Sequence, residues 1–143
     1  MISFRERVAT HEAGHCVAAL TFGIPILSVT IDPPPNMHRG AYKAEHACAL
    51  EYLTVLCLAG IAAEEMFCGP ITDGGDQPDL RMAREYLARS VPNPLRAAAE
   101  LARCRDAAQR LVRSQWAQRR IRVLADALLR CGTLNGDEIC SFI

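Results

Sequence analysis

Apolar residues recur at helical spacing over most of the chain, and the breaks between them mark out the elements. Ser3 and Glu6 form an S-x-x-E capping box ahead of an apolar-periodic stretch, which predicts a helix over residues 4–22, ended by Gly23 and Pro25. "ILSVTID", residues 26–32, is β-branched and alternating, and reads as a strand. Pro33, Pro34 and Pro35 stop it, and "PPPNMHRGAY" reads as a loop. Residues 44–67 read as a long, mostly apolar helix central to the core. "CGPITDGGDQP" is a loop, residues 78–89 a third helix, and "VPNP" the break after it. A long helical region follows over residues 95–131, bent near Ser114, until Gly132 ends it; a short last helix begins after Asn135 or Gly136. A lone strand leaves its edges unbonded, so a small sheet that uses part of residues 33–43 is expected. The pattern predicts a mainly α (α+β) fold.

Composition narrows this picture. A chain of 143 residues fits one domain over 1–143, large enough to bury a core without disulfides. Formal net charge is zero, yet residues 1–80 carry ten acidic and four basic side chains, and residues 81–130 carry twelve arginines against four acids. Arginines on the outer faces of helices account for this, and without interleaved aromatics no nucleic-acid groove is expected. The seven cysteines form no CxxC pair and sit mostly in apolar helical patterns, which points to a reducing, cytoplasmic location. The longest apolar run has twelve residues, too short to span a bilayer, so no membrane segment is expected.

One stretch of the first helix carries chemistry. Residues 11–15 read "HEAGH". On a helix, i and i+4 share a face, so His11 and His15 can aim imidazole nitrogens at one ion about 2.0–2.1 Å away. Glu12 lies about 100° round the helix, beside such an ion rather than on it, where it could take a proton from metal-bound water. Ala13 and Gly14 are small and leave room for a close neighbour. A third protein ligand is needed, and His38, His46, Glu64, Glu65, Asp73, Asp76 and Asp79 are the downstream candidates. HExxHxxGxxH is excluded, because Ala18 and Thr21 stand where Gly and His would be required.

"HEAGHCVAA", "VTIDP", "LAGIAAEEMFCG" and "GDQPDLRMA", in that order, resemble the peptidase domain of the FtsH family of ATP-dependent zinc metallopeptidases, and the tail "LADALLRCGTLNGDEI" resembles that family's C-terminal end. The resemblance implies a zincin-like helical domain with a small β element after the HExxH helix. It implies Zn2+ as cofactor, His11, His15 and Asp79 as ligands, and Glu12 as the catalytic base. Glu64 and Glu65 match that family's AAEE helix, and at least one reads as an outer partner holding a ligating histidine in its tautomer, with a solvated helix face or an N-cap partner as the equal alternative. Two departures stand out. No G-x-x-x-x-G-K-[ST] loop is present, so this chain does not itself unfold substrates with ATP. Ala59 and Ile61 replace a glycine and an arginine of the family's GGRAAEE, and a salt bridge or subunit contact made by that arginine is expected to be missing.

The leading expectation is therefore a stand-alone zinc endopeptidase acting on peptides or unfolded proteins, with a separate ATPase as a candidate partner and homo-oligomerisation open. An extended peptide is expected to add beside residues 26–32 or the loop after them. The alternative is a non-catalytic, metal-bound peptide-binding or regulatory module, which would have no need of Glu12.

Overall fold

The computed structural model describes residues 1–33, 40–44 and 49–142. Along them run α1 (Phe4–Phe22), β1 (Ile26–Thr30), β2 (Ala41–Ala44), α2 (Leu50–Cys68), α3 (Gln77–Ser90), α4 (Pro94–Arg113), α5 (Gln115–Cys131), β3 (Thr133–Asn135) and α6 (Gly136–Ser141). The fold is mainly α with one small sheet, as the pattern predicts. No helix among the described residues is long and apolar enough to cross a membrane. The six cysteines among them are free thiols.

Local chemistry sets most of the boundaries. The Ser3 hydroxyl accepts from the Glu6 amide at 3.1 Å and the Glu6 carboxylate accepts from the Ser3 amide at 2.6 Å, closing the capping box. Gly23 ends α1 in the left-handed conformation at φ 67°, where its amide bonds back to the last turn. Ser114 does more than bend the long helical region. Its backbone is extended (ψ 146°) and its hydroxyl accepts from the Ala117 amide at 3.2 Å, so it ends α4 and caps α5. Asn135 and Glu138 close a second capping box at α6.

Three boundaries differ from the sequence reading. The strand stops at Thr30, because the Ile31 amide turns to the Gly132 carbonyl at 2.8 Å and the Asp32 amide to the Thr30 hydroxyl at 3.0 Å. Ala44 belongs to β2, and the second helix starts at Leu50 instead of residue 44. Residues 133–135, read as a break, form β3. The sheet order is β2-β1-β3, antiparallel throughout, with Val29 opposite Tyr42 on one side and Leu134 on the other.

Packing places α1 at the centre. It contacts α2, α5 and the sheet, and its residues from Val8 through Ala19 are all buried, so the helix is enclosed on every side rather than amphipathic. Helix α2 packs against α1, α3 and α4 and is buried from Leu53 through Glu64. The two helices touch at small residues. A Cβ on Gly14 would lie 2.6 Å from the Ala63 Cβ and 2.7 Å from the Ala59 carbonyl oxygen. That close approach lets polar groups of α2 reach the polar groups of α1.

Candidate metal centre

Helix α1 presents Arg7, His11 and His15 one turn apart on one face. Both imidazoles are buried, and each is held through its Nδ1. His11 Nδ1 donates to Glu64 Oε2 at 2.7 Å, and His15 Nδ1 donates to the Leu56 carbonyl at 2.8 Å. Since a carbonyl oxygen only accepts, Nδ1 of His15 carries a proton, and Nε2 is the nitrogen left to face Asp79. The Nε2 atoms of both rings converge on one carboxylate from α3. Asp79 Oδ2 lies 2.6 Å from His11 Nε2 and 3.3 Å from His15 Nε2.

The elements explain the convergence. The α1–α2 crossing at Gly14 brings Glu64 and Leu56 against the rings. Gly60 supplies the floor, since a Cβ there would collide with His15 and lie 2.9 Å from His11 Cδ2. Gln77 and Pro78 open α3, so that Asp79 stands in its first turn and faces α1. Asp76 occupies the cap position, but its side chain makes no capping bond. Tyr42 closes the sheet side, with its ring centroid 4.4 Å from that of His15.

Charge is concentrated here. Burial opposes a proton on His11, but hydrogen bonds to Asp79 and Glu64 override it and push its pKa up to about 10. Burial likewise works to raise Asp79, yet the field of His15 and the hydrogen bonds from His11 and His15 hold its carboxyl well below the usual range. Burial pushes the Cys16 thiol upward, helped by the negative field of Glu12, and so keeps it neutral.

This donor set fits a zinc ion. Two imidazole nitrogens and a carboxylate oxygen converge, and donor atoms around a tetrahedral zinc stand about 3.3 Å apart; His15 and Asp79 are separated by 3.3 Å, whereas His11 and Asp79, at 2.6 Å, stand at hydrogen-bond distance and would have to part to share an ion. One donor atom from each of His11, Glu12 and His15 also lies within 4.8 Å of the others. Asp79 approaches both imidazole nitrogens more closely than that limit. Glu12 projects from α1 toward the sheet, where a Cβ on Gly40 would lie 2.5 Å from its Cγ.

The other downstream candidates separate clearly. Glu64 is buried and takes the outer nitrogen of His11. Glu65 faces away and pairs with Arg105 at 3.7 Å. Asp73 is exposed and accepts from the Gly75 amide at 2.9 Å. His38 and His46 lie outside the described residues. Ile61 is buried and apolar, and the arginine that pairs with Glu64 is Arg7 of α1, at 3.0 Å. Arg7, Tyr42 and Gly60 were not singled out from sequence. Arg7 had a readable signal, one turn ahead of His11 on the same face.

No family model matches the chain. Over 101 residues, covering 59% of its length, the chain is 38% identical to a protein of Symbiobacterium thermophilum named ATP-dependent zinc metalloprotease FtsH 2. The chain spans 16% of the length of that protein. The similarity is FtsH-like and covers more than half of the chain.

Proposed function

We propose that this chain is a zinc-dependent endopeptidase that cleaves peptides or unfolded protein segments. The observation that carries the reading is the convergence of His11 Nε2 and His15 Nε2 on Asp79, with Glu12 beside them. The similarity to a protein named as a zinc metalloprotease supports it. His11, His15 and Asp79 would hold the ion. Glu12 is the base in preference to a ligand, since it lies about 100° round the helix from His11 while Asp79 already meets both rings.

Bound zinc supplies Lewis-acid polarisation of the scissile carbonyl and lowers the pKa of water toward 7. Glu12 accepts the proton of the attacking water and hands it to the leaving amine. Burial of Glu12 and the rings keeps bulk water away from that transfer. Leu56 and Glu64 keep both histidines turned with Nε2 inward.

Strand β1 is bonded on both sides, by β2 and β3, so an extended substrate cannot add to it. Among the described residues β2 is the edge strand, and its outer edge, beside Gly40 and Glu12, is where a peptide adds instead. Substrates are segments already unfolded, or delivered by a separate ATPase.

The test pairs metal content with cleavage. Wild-type protein should carry one zinc and cut a fluorogenic peptide or casein. Glu12→Gln should keep the zinc and lose about 10²–10⁴-fold in rate. A wild type that holds zinc but cuts nothing would favour the non-catalytic module, and one that takes up no zinc would remove the metal assignment.

A further inference from the structure

Resting on the zinc reading, we propose that Arg7 is a positioning residue of the metal centre: it aims Glu64, and through Glu64 it fixes the ring of His11. Its guanidinium meets four acceptors. Nε donates to Glu64 Oε1 at 3.0 Å, Nη1 to the Cys68 carbonyl at 2.7 Å, and Nη2 to the Gly69 carbonyl at 2.9 Å and the Pro70 carbonyl at 2.8 Å. A planar fork bonded along three of its nitrogens cannot rotate.

The three carbonyls belong to the end of α2 and the segment that leads to α3. Arg7 thereby ties together the helix that carries the histidines, the helix that carries Glu64, and the approach to the helix that carries Asp79. Capping of α2 accounts for the bond to Cys68, since the last carbonyls of a helix have no partner within it, and the bonds to Gly69 and Pro70 hold the chain just beyond the helix end. Neither role accounts for the fourth bond. Nε is directed at Oε1 of a carboxylate with no exposure to solvent, and the other oxygen of that carboxylate, Oε2, is the one 2.7 Å from His11 Nδ1. Held at one oxygen by Arg7, Glu64 presents the second to the histidine in a fixed plane. Without Arg7 the carboxylate loses the charged partner that orients Oε1, and the acceptor for His11 Nδ1 is less firmly placed. Outer partners of metal-bound histidines affect metal affinity by about 10–100-fold.

The test uses the full chain and reads metal, not cleavage. Zinc affinity is measured by competition with a chromophoric chelator, and the visible bands of the cobalt-loaded protein report ligand geometry. Arg7→Met and Glu64→Gln should each weaken zinc by about 10–100-fold and alter the cobalt bands. The double variant should be no weaker than Glu64→Gln alone, because Arg7 acts through Glu64. Wild-type affinity and bands in Arg7→Met, whatever its melting temperature, would overturn the inference. So would losses that add in the double variant. If Arg7→Met does not fold, Arg7→Lys carries the same cycle, since lysine retains the charge without the fork. A wild type that binds no zinc brings down the zinc reading and this inference together. A wild type that binds zinc, with Arg7 variants that bind it equally, brings down this inference only.

Discussion

A methyl group at position 60 would occupy space that the His15 imidazole fills. Alanine is favoured over glycine in a helix by about 1 kcal/mol, so Gly60→Ala should help α2 as a helix while it harms the site. The ring has to leave its hydrogen bond to Leu56, and zinc affinity should fall by at least about 10-fold, read by chelator competition. Equal affinity in wild type and variant would show that the ring tolerates displacement. His11, Glu12 and His15 were legible because HExxH fixes residue type and spacing within one helix turn. Asp79 was legible only through a resemblance, since acids are common in first helical turns and spacing along a chain does not say which helix faces which. Leu56 was not legible at all, because a backbone carbonyl has no side-chain signature. Tyr42 was hidden for another reason, as its contact depends on the register of β2 against β1.

The crossing of α1 and α2 makes a sharper demand at the next scale. Gly14→Ala lowers the intrinsic cost of helix formation, yet its Cβ would press on Ala63 and on the backbone of Ala59. Backbone gives little, so the helices must separate, and the net change should be a loss of about 1–3 kcal/mol, measured as a shift in the urea midpoint. Increased stability would mean that the two helices can separate at little cost. Helices were the legible elements because caps and glycines punctuate them, as Ser3 with Glu6 and Gly23 do for α1. The strands were less so. β1 stood out by alternation, but β3 has three residues, too few for a period, and it exists because β1 has an edge to bond. Only tertiary contact could reveal the enclosure of α1, since a helix buried on all sides has no polar face to read.

The protein as a whole responds to pH through the same cluster. In a zinc-free sample the folded state holds a proton on His11 up to about 10, against 6.5 for an unperturbed histidine. The folded state therefore binds more protons than the unfolded chain between these values. That stabilisation is complete below about 6.5 and is lost as pH rises toward 10. Melting temperature of chelator-treated protein should fall steadily from pH 6.5 to 9.5, and zinc should restore it, because a ligand that binds only the folded state stabilises it. A melting temperature that rises over this range would contradict the His11–Asp79 pairing. A further consequence lies in the sheet. The Thr30 hydroxyl meets the Gly132 carbonyl across 102 positions of sequence, and α1 needs α5 to cover it. At about 5–20 residues per second, a ribosome takes roughly 5–20 s to make that interval. During this time the helix that carries "HEAGH" is still without α5 as its cover. The histidines, Asp79 and the groups that hold them all lie within the first 79 residues, so the candidate site is written early and the layer that shields its helix comes last.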